Sequence, residues 1–128
     1  MEIRRLEREV YAGRPFTARY QTGGYYDIRP SEDGFRLCYV PLAAPEERSF
    51  DDVFLSEWLE EPVAFGAFEN GTLLGFAEGS LETWNNRFCI SNLCVFEESA
   101  RRRGVGTALM DTVTKAAAAS GARMLVLE

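Results

Sequence analysis

The sequence predicts an α/β protein of the α+β kind: a mixed, mostly antiparallel sheet containing one parallel βαβ pair. Three observations carry this expectation. Residues 63–96 read as successive strands punctuated by Asn70-Gly71, the dipeptide suited to a type I′ hairpin, and by Asn85-Asn86. Residues 105–120 change to helical spacing, with Val105, Leu109, Thr112, Val113 and Ala116 on one stripe. The apolar run Met124-Leu125-Val126-Leu127 follows, and strand, helix, strand in that order implies two parallel strands.

The elements can be justified in chain order. Tyr25 to Arg29 and Phe35 to Val40 read as strands joined by the turn-forming stretch Pro30 to Gly34. Leu42 to Arg48, with Pro45, reads as a linker. A helix is expected from Ser49, a good N-cap, with Asp51 and Asp52 in its first turn. Phe54, Leu55, Trp58 and Leu59 would form its apolar face, and Pro62 would end it. Val63 to Phe68 and Leu73 to Leu81 form a hairpin, and Phe88 to Phe96, apolar on both faces, suits the middle of a covered sheet. In the last helix Asp111 and Lys115 face outward at i,i+4, and Gly121 suits the C′ position.

At 128 residues there is room for one modest core, so residues 1–128 are expected to form a single domain. The chain has no histidine, which excludes Ser-His-Asp and Cys-His nucleophile systems and argues against a metal site. Cys38, Cys89 and Cys94 lie in strand-like stretches without CxxC spacing and read as buried, reduced thiols. Neither a secretory h-region nor an apolar run of membrane-spanning length is present, so a cytoplasmic location without membrane attachment is expected. Twenty acids against 14 bases give a net charge of −6, which opposes nucleic-acid binding and favours a cationic small-molecule partner.

Against that acidic background, Arg101-Arg102-Arg103-Gly104-Val105-Gly106-Thr107 concentrates positive charge where a strand hands over to a helix. Gly104 and Gly106 allow a ligand close to the main chain, and the first N–H groups of the helix have no internal partner. The arrangement suits a phosphate or pyrophosphate; an ordinary helix start with solvated arginines has the same spacing. Thr107-Ala108 after Gly106 departs from the P-loop pattern, and Leu109 replaces the third glycine of a dinucleotide fingerprint.

Arg101-x-x-Gly104-x-Gly106 resembles the (Gln/Arg)xxGx(Gly/Ala) signature of the GNAT acetyltransferases, between the strand end Leu93-Cys94-Val95 and the helix opening Thr107-Ala108-Leu109-Met110. From about Val63 onward, Trp84-Asn85-Asn86-Arg87 and Leu125-Val126-Leu127-Glu128 make the chain similar to the streptothricin and aminoglycoside acetyltransferases. The resemblance implies acetyl-CoA as co-substrate and a small-molecule amine, antibiotics included, as acceptor. It places the pyrophosphate on main-chain N–H groups of Arg102, Arg103, Gly104, Val105, Gly106 and Thr107. The pantetheine arm would lie along Leu93, Cys94 and Val95, with donors near Val95 polarising the thioester carbonyl.

The family often carries a glutamate on the central strand as base, whereas this chain reads Ile90-Ser91-Asn92-Leu93. Glu78 and Glu82 are the nearest carboxylates; each is either a proton acceptor raised by apolar surroundings or a solvent-facing group. The Val95 to Gly104 loop is about one residue longer than the family pattern. Glu128 ends a strand without the further helix, its tyrosine acid and the two strands that the resemblance implies. The expectation is therefore an incomplete GNAT domain that acetylates slowly, or a CoA-binding module that self-associates through an open strand edge.

Overall fold

The computed structural model describes residues 1–128. In chain order it forms β1 (Glu2–Arg5), α1 (Arg8–Tyr11), β2 (Pro15–Ser31), β3 (Gly34–Val53), β4 (Val63–Glu69), β5 (Thr72–Glu82), β6 (Arg87–Val95), a 3-10 turn (Glu98–Ala100), α2 (Val105–Ala119) and β7 (Met124–Leu127). One sheet has the order β1-β4-β5-β6-β7; β2 and β3 make a second, two-stranded sheet. The chain divides into one unit of Met1–Ala18 with Asp51–Glu128, and a second of Arg19–Phe50.

In the first unit, β4 and β5 are joined through Asn70 at φ 50° and Gly71 at φ 79°, the paired positive values of a type I′ turn. β6 pairs antiparallel with β5 and parallel with β7, as expected from the βαβ order. Glu78 opposes Asn92 while Gly79 opposes Ile90, which leaves Ser91 as the extra residue of a bulge. The bulge reverses the alternation: Phe88 and Ile90 before it, and Leu93 and Val95 after it, pack with α2. It re-aims the second half of β6 without breaking its pairing to β5.

Helix α2 buries Val105, Leu109, Val113 and Ala117, a strict i,i+4 stripe, against that face. The stripe ends on Ala117 rather than Ala116. Asp111 and Lys115 are exposed as expected. Gly121 takes φ 82°, its N–H donates to Ala118 O at 3.1 Å, and Ala122 N–H donates to Ala117 O at 3.4 Å, closing the helix with a left-handed residue. On the other face of the sheet, Phe16, Phe54 and Phe76 form a triangle with ring centroids 4.7–4.9 Å apart. Such pairs add about 0.5–1.5 kcal/mol each beyond their buried area.

Two expectations are overturned. No helix starts at Ser49: residues 49–53 continue β3, and 54–62 run as turns. A helix of that length is marginal by itself, and long-range contacts outcompete it. Phe54 N–H donates to Arg14 O at 3.0 Å, Gly13 N–H to Phe54 O at 2.9 Å, and Leu55 N–H to Glu78 Oε2 at 2.6 Å. Leu55 is held at φ 51°, outside helical space, and Trp58, expected on the apolar face, is 76% exposed. The linker Leu42 to Arg48 is also strand. A two-stranded ribbon has two open edges, where a proline such as Pro45 loses no ladder bond.

The second unit is this ribbon, turning at Glu32-Asp33. The short strands expected at Tyr25–Arg29 and Phe35–Val40 are its middle. All three cysteines are free; Cys89 and Cys94 are buried as expected, whereas Cys38 is half-buried on β3.

Candidate functional site

The site is built on the second half of β6 and the start of α2. Phe96 N–H donates to Leu74 O at 2.9 Å, just past the register pair Gly75–Val95. Antiparallel alternation then turns the main-chain groups of Cys94 and Asn92 toward β5 and those of Leu93 and Val95 away from it. Pairing with β7 covers only Arg87 to Ile90, followed by Glu128 N–H to Ile90 O at 3.3 Å. Beyond Ile90 the outward edge of β6 therefore carries the Leu93 and Val95 amides without a β7 partner.

At the same end of β6 the chain reaches α2 through Gly104, whose φ of 83° makes it a left-handed N-cap with no side-chain cap. The first internal helical bond is Ala108 N–H to Gly104 O at 3.0 Å, so the N–H groups of Val105, Gly106 and Thr107 have no acceptor within the helix. A Cβ placed on Gly106 would meet nothing within 4 Å. The main chain there is open to a ligand and the helix dipole favours an anion.

The arginines divide into three different roles. Arg101 folds back: its Nε and Nη2 each donate to Val95 O at 3.3 Å, and Nη1 pairs with Glu98 at 2.7 Å. This ties the long loop to β6 and occupies the outward Val95 carbonyl, leaving the Val95 N–H beside it. Arg103 Nη2 reaches Glu69 at the end of β4, at 2.8 Å. Arg102 is exposed at φ 59°. Glu69 is 34 residues from Arg103 in sequence and left no signal, whereas Glu98 stands at i,i+3 to Arg101, a spacing that could have flagged the pair.

The two candidate carboxylates have opposite surroundings. Glu78 is fully buried on β5. Its Oε2 accepts the Leu55 N–H at 2.6 Å, and its Oε1 accepts Asn92 Nδ2 at 3.2 Å and the Ser91 hydroxyl at 3.4 Å. Burial holds its pKa above the ordinary 4.5, against the pull of the Leu55, Asn92 and Ser91 donors. Glu82 instead lies against Arg87, at 2.6 Å, and that hydrogen bond lowers its pKa. Glu78 thus sits at the β6 bulge, and Glu82 is a carboxylate neutralised by an arginine. Cys94, on the Glu78 side of β6, is pushed up to about 11 by burial, so it is a neutral thiol. It shares the aromatic core and turns its main chain toward β5.

Comparison with known proteins matches these features to one family. The sequence profile of the acetyltransferase (GNAT) family matches residues 15–128. The chain belongs to the GNAT acetyltransferase family. Its mixed sheet with the parallel β6–β7 pair is the GNAT fold. The crystal structure of nourseothricin acetyltransferase superposes with a TM-score of 0.73 at 28% identity, over 98% of this chain and 71% of that one. A candidate streptothricin acetyltransferase from Bacillus anthracis, solved in complex with acetyl coenzyme A, matches with a TM-score of 0.58 at 19% identity, over 98% of this chain and 73% of that one. Among curated proteins nothing matches. No helix is long and apolar enough to cross a membrane.

Proposed function

We propose that this GNAT chain transfers the acetyl group of acetyl-CoA to the amine of a cationic small molecule, with antibiotics of the nourseothricin and streptothricin kind as the acceptor class. The observation that carries this reading is the outward Leu93 and Val95 amide edge running into the open N-terminus of α2. A pantetheine arm has amide groups able to pair with a strand edge, and a pyrophosphate matches three unpaired N–H groups at a helix start. The net charge of −6 draws a polycationic acceptor. The acceptor class rests on the likeness to nourseothricin acetyltransferase.

Acetyl-CoA supplies the acetyl group and leaves as a thiol. The chain's residues orient it and move one proton. The Val95 N–H, turned away from β5 by the strand register, is the donor placed to polarise the thioester oxygen, while Arg101 occupies the Val95 carbonyl. The attacking amine must lose a proton. Ser91, partly exposed on the bulge, takes it on Oγ while passing its own hydroxyl proton to Glu78 Oε1. Glu78 must be ionised to accept, so the rate rises with pH through its raised pKa and is lost below it. Glu82 takes no part, since Arg87 already neutralises it.

A second reading is favoured by one observation: Glu78 is fully buried and Glu82 is arginine-paired, so neither candidate base is a free, exposed carboxylate. On that reading the chain binds CoA without turnover. Amide chemical-shift mapping with CoA tests the donor site common to both readings. Shifts at Leu93, Val95 and Gly104–Thr107 are expected; shifts confined to another face would overturn both. Loss of the low-pH limb of the rate in Glu78→Gln supports the relay, whereas an unchanged profile removes it.

A further inference from the structure

Near its turn the Arg19–Phe50 ribbon has one apolar face, and its reverse carries an ion pair. Tyr26 and Tyr39 meet edge to face with centroids 5.3 Å apart, which puts even-numbered residues of β2 and odd-numbered residues of β3 on the same side. Gly24 belongs to this side: a Cβ there would lie 2.5 Å from the Tyr39 ring, so glycine lets that ring lie across the backbone. The face carries Tyr26, Ile28, Phe35, Leu37 and Tyr39, exposed by 70, 65, 79, 71 and 54%. The reverse face holds the Arg29–Asp27 ion pair at 3.1 Å, with Tyr25 and Cys38 near the same guanidinium.

Two strands alone are marginally stable in water, and this pair presents its largest side chains to solvent. Side chains of this size, uncovered by about two thirds, expose roughly 600 Å² of apolar surface, the upper end of what a monomer leaves bare. Two such faces in contact would bury about 1,200 Å², where specific protein interfaces begin. From Tyr26 to Pro30 and from Phe35 to Tyr39 this face carries no charged side chain, so it matches another of its own kind, and a two-fold axis brings the same patch to both sides.

We propose that the apolar face of the β2–β3 ribbon is a homodimer interface, occupied by the same face of a second copy. The dimer seam is then the ribbon, not the β7 edge, where Met124 and Leu127 are exposed by 57 and 61%. This assignment is independent of acetyl transfer and stands or falls separately from it.

Sedimentation velocity on the full chain, with Phe35→Glu, Leu37→Lys and Met124→Lys variants, tests it. The parent and Met124→Lys should sediment as dimers at micromolar concentration, and Phe35→Glu and Leu37→Lys as monomers with an unchanged far-UV spectrum. Hydrogen exchange on the parent guards against a folding defect in the variants: protection of Phe35 to Tyr39 should rise with protein concentration. A monomeric parent, a dimer broken by Met124→Lys alone, or ribbon protection independent of concentration would each overturn the proposal.

Discussion

Replacing Gly106 with valine separates ligand binding from folding. A Cβ at this position meets no atom within 4 Å, and residue 106 lies in the first turn of α2, so the folded chain accommodates the side chain. Glycine inside a helix costs about 0.8–1 kcal/mol relative to alanine and valine somewhat less, so the variant should melt at or slightly above the parent. Cβ atoms tilt toward a helix N-terminus, which places the isopropyl group where a phosphate must approach the Gly106 and Thr107 amides. Hydrogen bonds to a charged group contribute about 1.5–3 kcal/mol each, so losing two weakens CoA by roughly 10²–10⁴-fold. Calorimetric titration of CoA into parent and variant, paired with melting curves, reads both quantities. Gly104 supplies the contrast: at φ 83° a Cβ costs about 1–2 kcal/mol, so Gly104→Ala should lower the melting temperature instead. An unchanged Kd in a fully folded Gly106→Val variant would refute the pyrophosphate assignment.

Further outcomes follow from the same geometry. Leu109 is fully buried under the sheet, and Leu109→Ala should cost about 2–5 kcal/mol by chemical denaturation. A Cβ on Gly79 would lie 2.6 Å from Cys89 O and 2.5 Å from the Phe88 ring, so Gly79→Ala should destabilise by about 1–3 kcal/mol; a neutral result would show that β5 can move off β6. Glu78 binds its proton more tightly folded than unfolded, so its contribution to stability is full below pH 4.5 and is lost as pH rises through its raised folded pKa. Glu78→Gln forfeits one hydrogen bond at every pH but lacks that decline; parallel stability curves for the two proteins would contradict the buried-carboxylate assignment.

The second half of the chain was legible because each local signal agreed with its neighbour. Asn70-Gly71 set a hairpin, the stripe from Val105 set a helix, and Gly121 ended it. The 49–62 segment was misread because its apolar spacing also fits a helix, and the contacts that decide it, Phe54 with Arg14 and Leu55 with Glu78, come from residues far away in sequence. The length of the ribbon was missed because its prolines looked like breaks, although a ribbon with two open edges tolerates them. At the site, the glycine loop was readable and the Glu69 partner of Arg103, 34 residues away, was not. The burial of Glu78 did leave a signal: a lone charge in the centre of Phe76-Ala77-Glu78-Gly79-Ser80, among small and apolar residues of a covered strand.

Thiol release from acetyl-CoA, measured with streptothricin-class antibiotics, aminoglycosides and simple polyamines and checked by mass spectrometry of the amine, tests the central claim most directly. The account predicts amine-dependent thiol release in step with an N-acetylated product, abolished in Gly106→Val. CoA binding at the α2 N-terminus with no thiol released by any of these amines would contradict acetyl transfer to this acceptor class and leave the chain as a CoA-binding module.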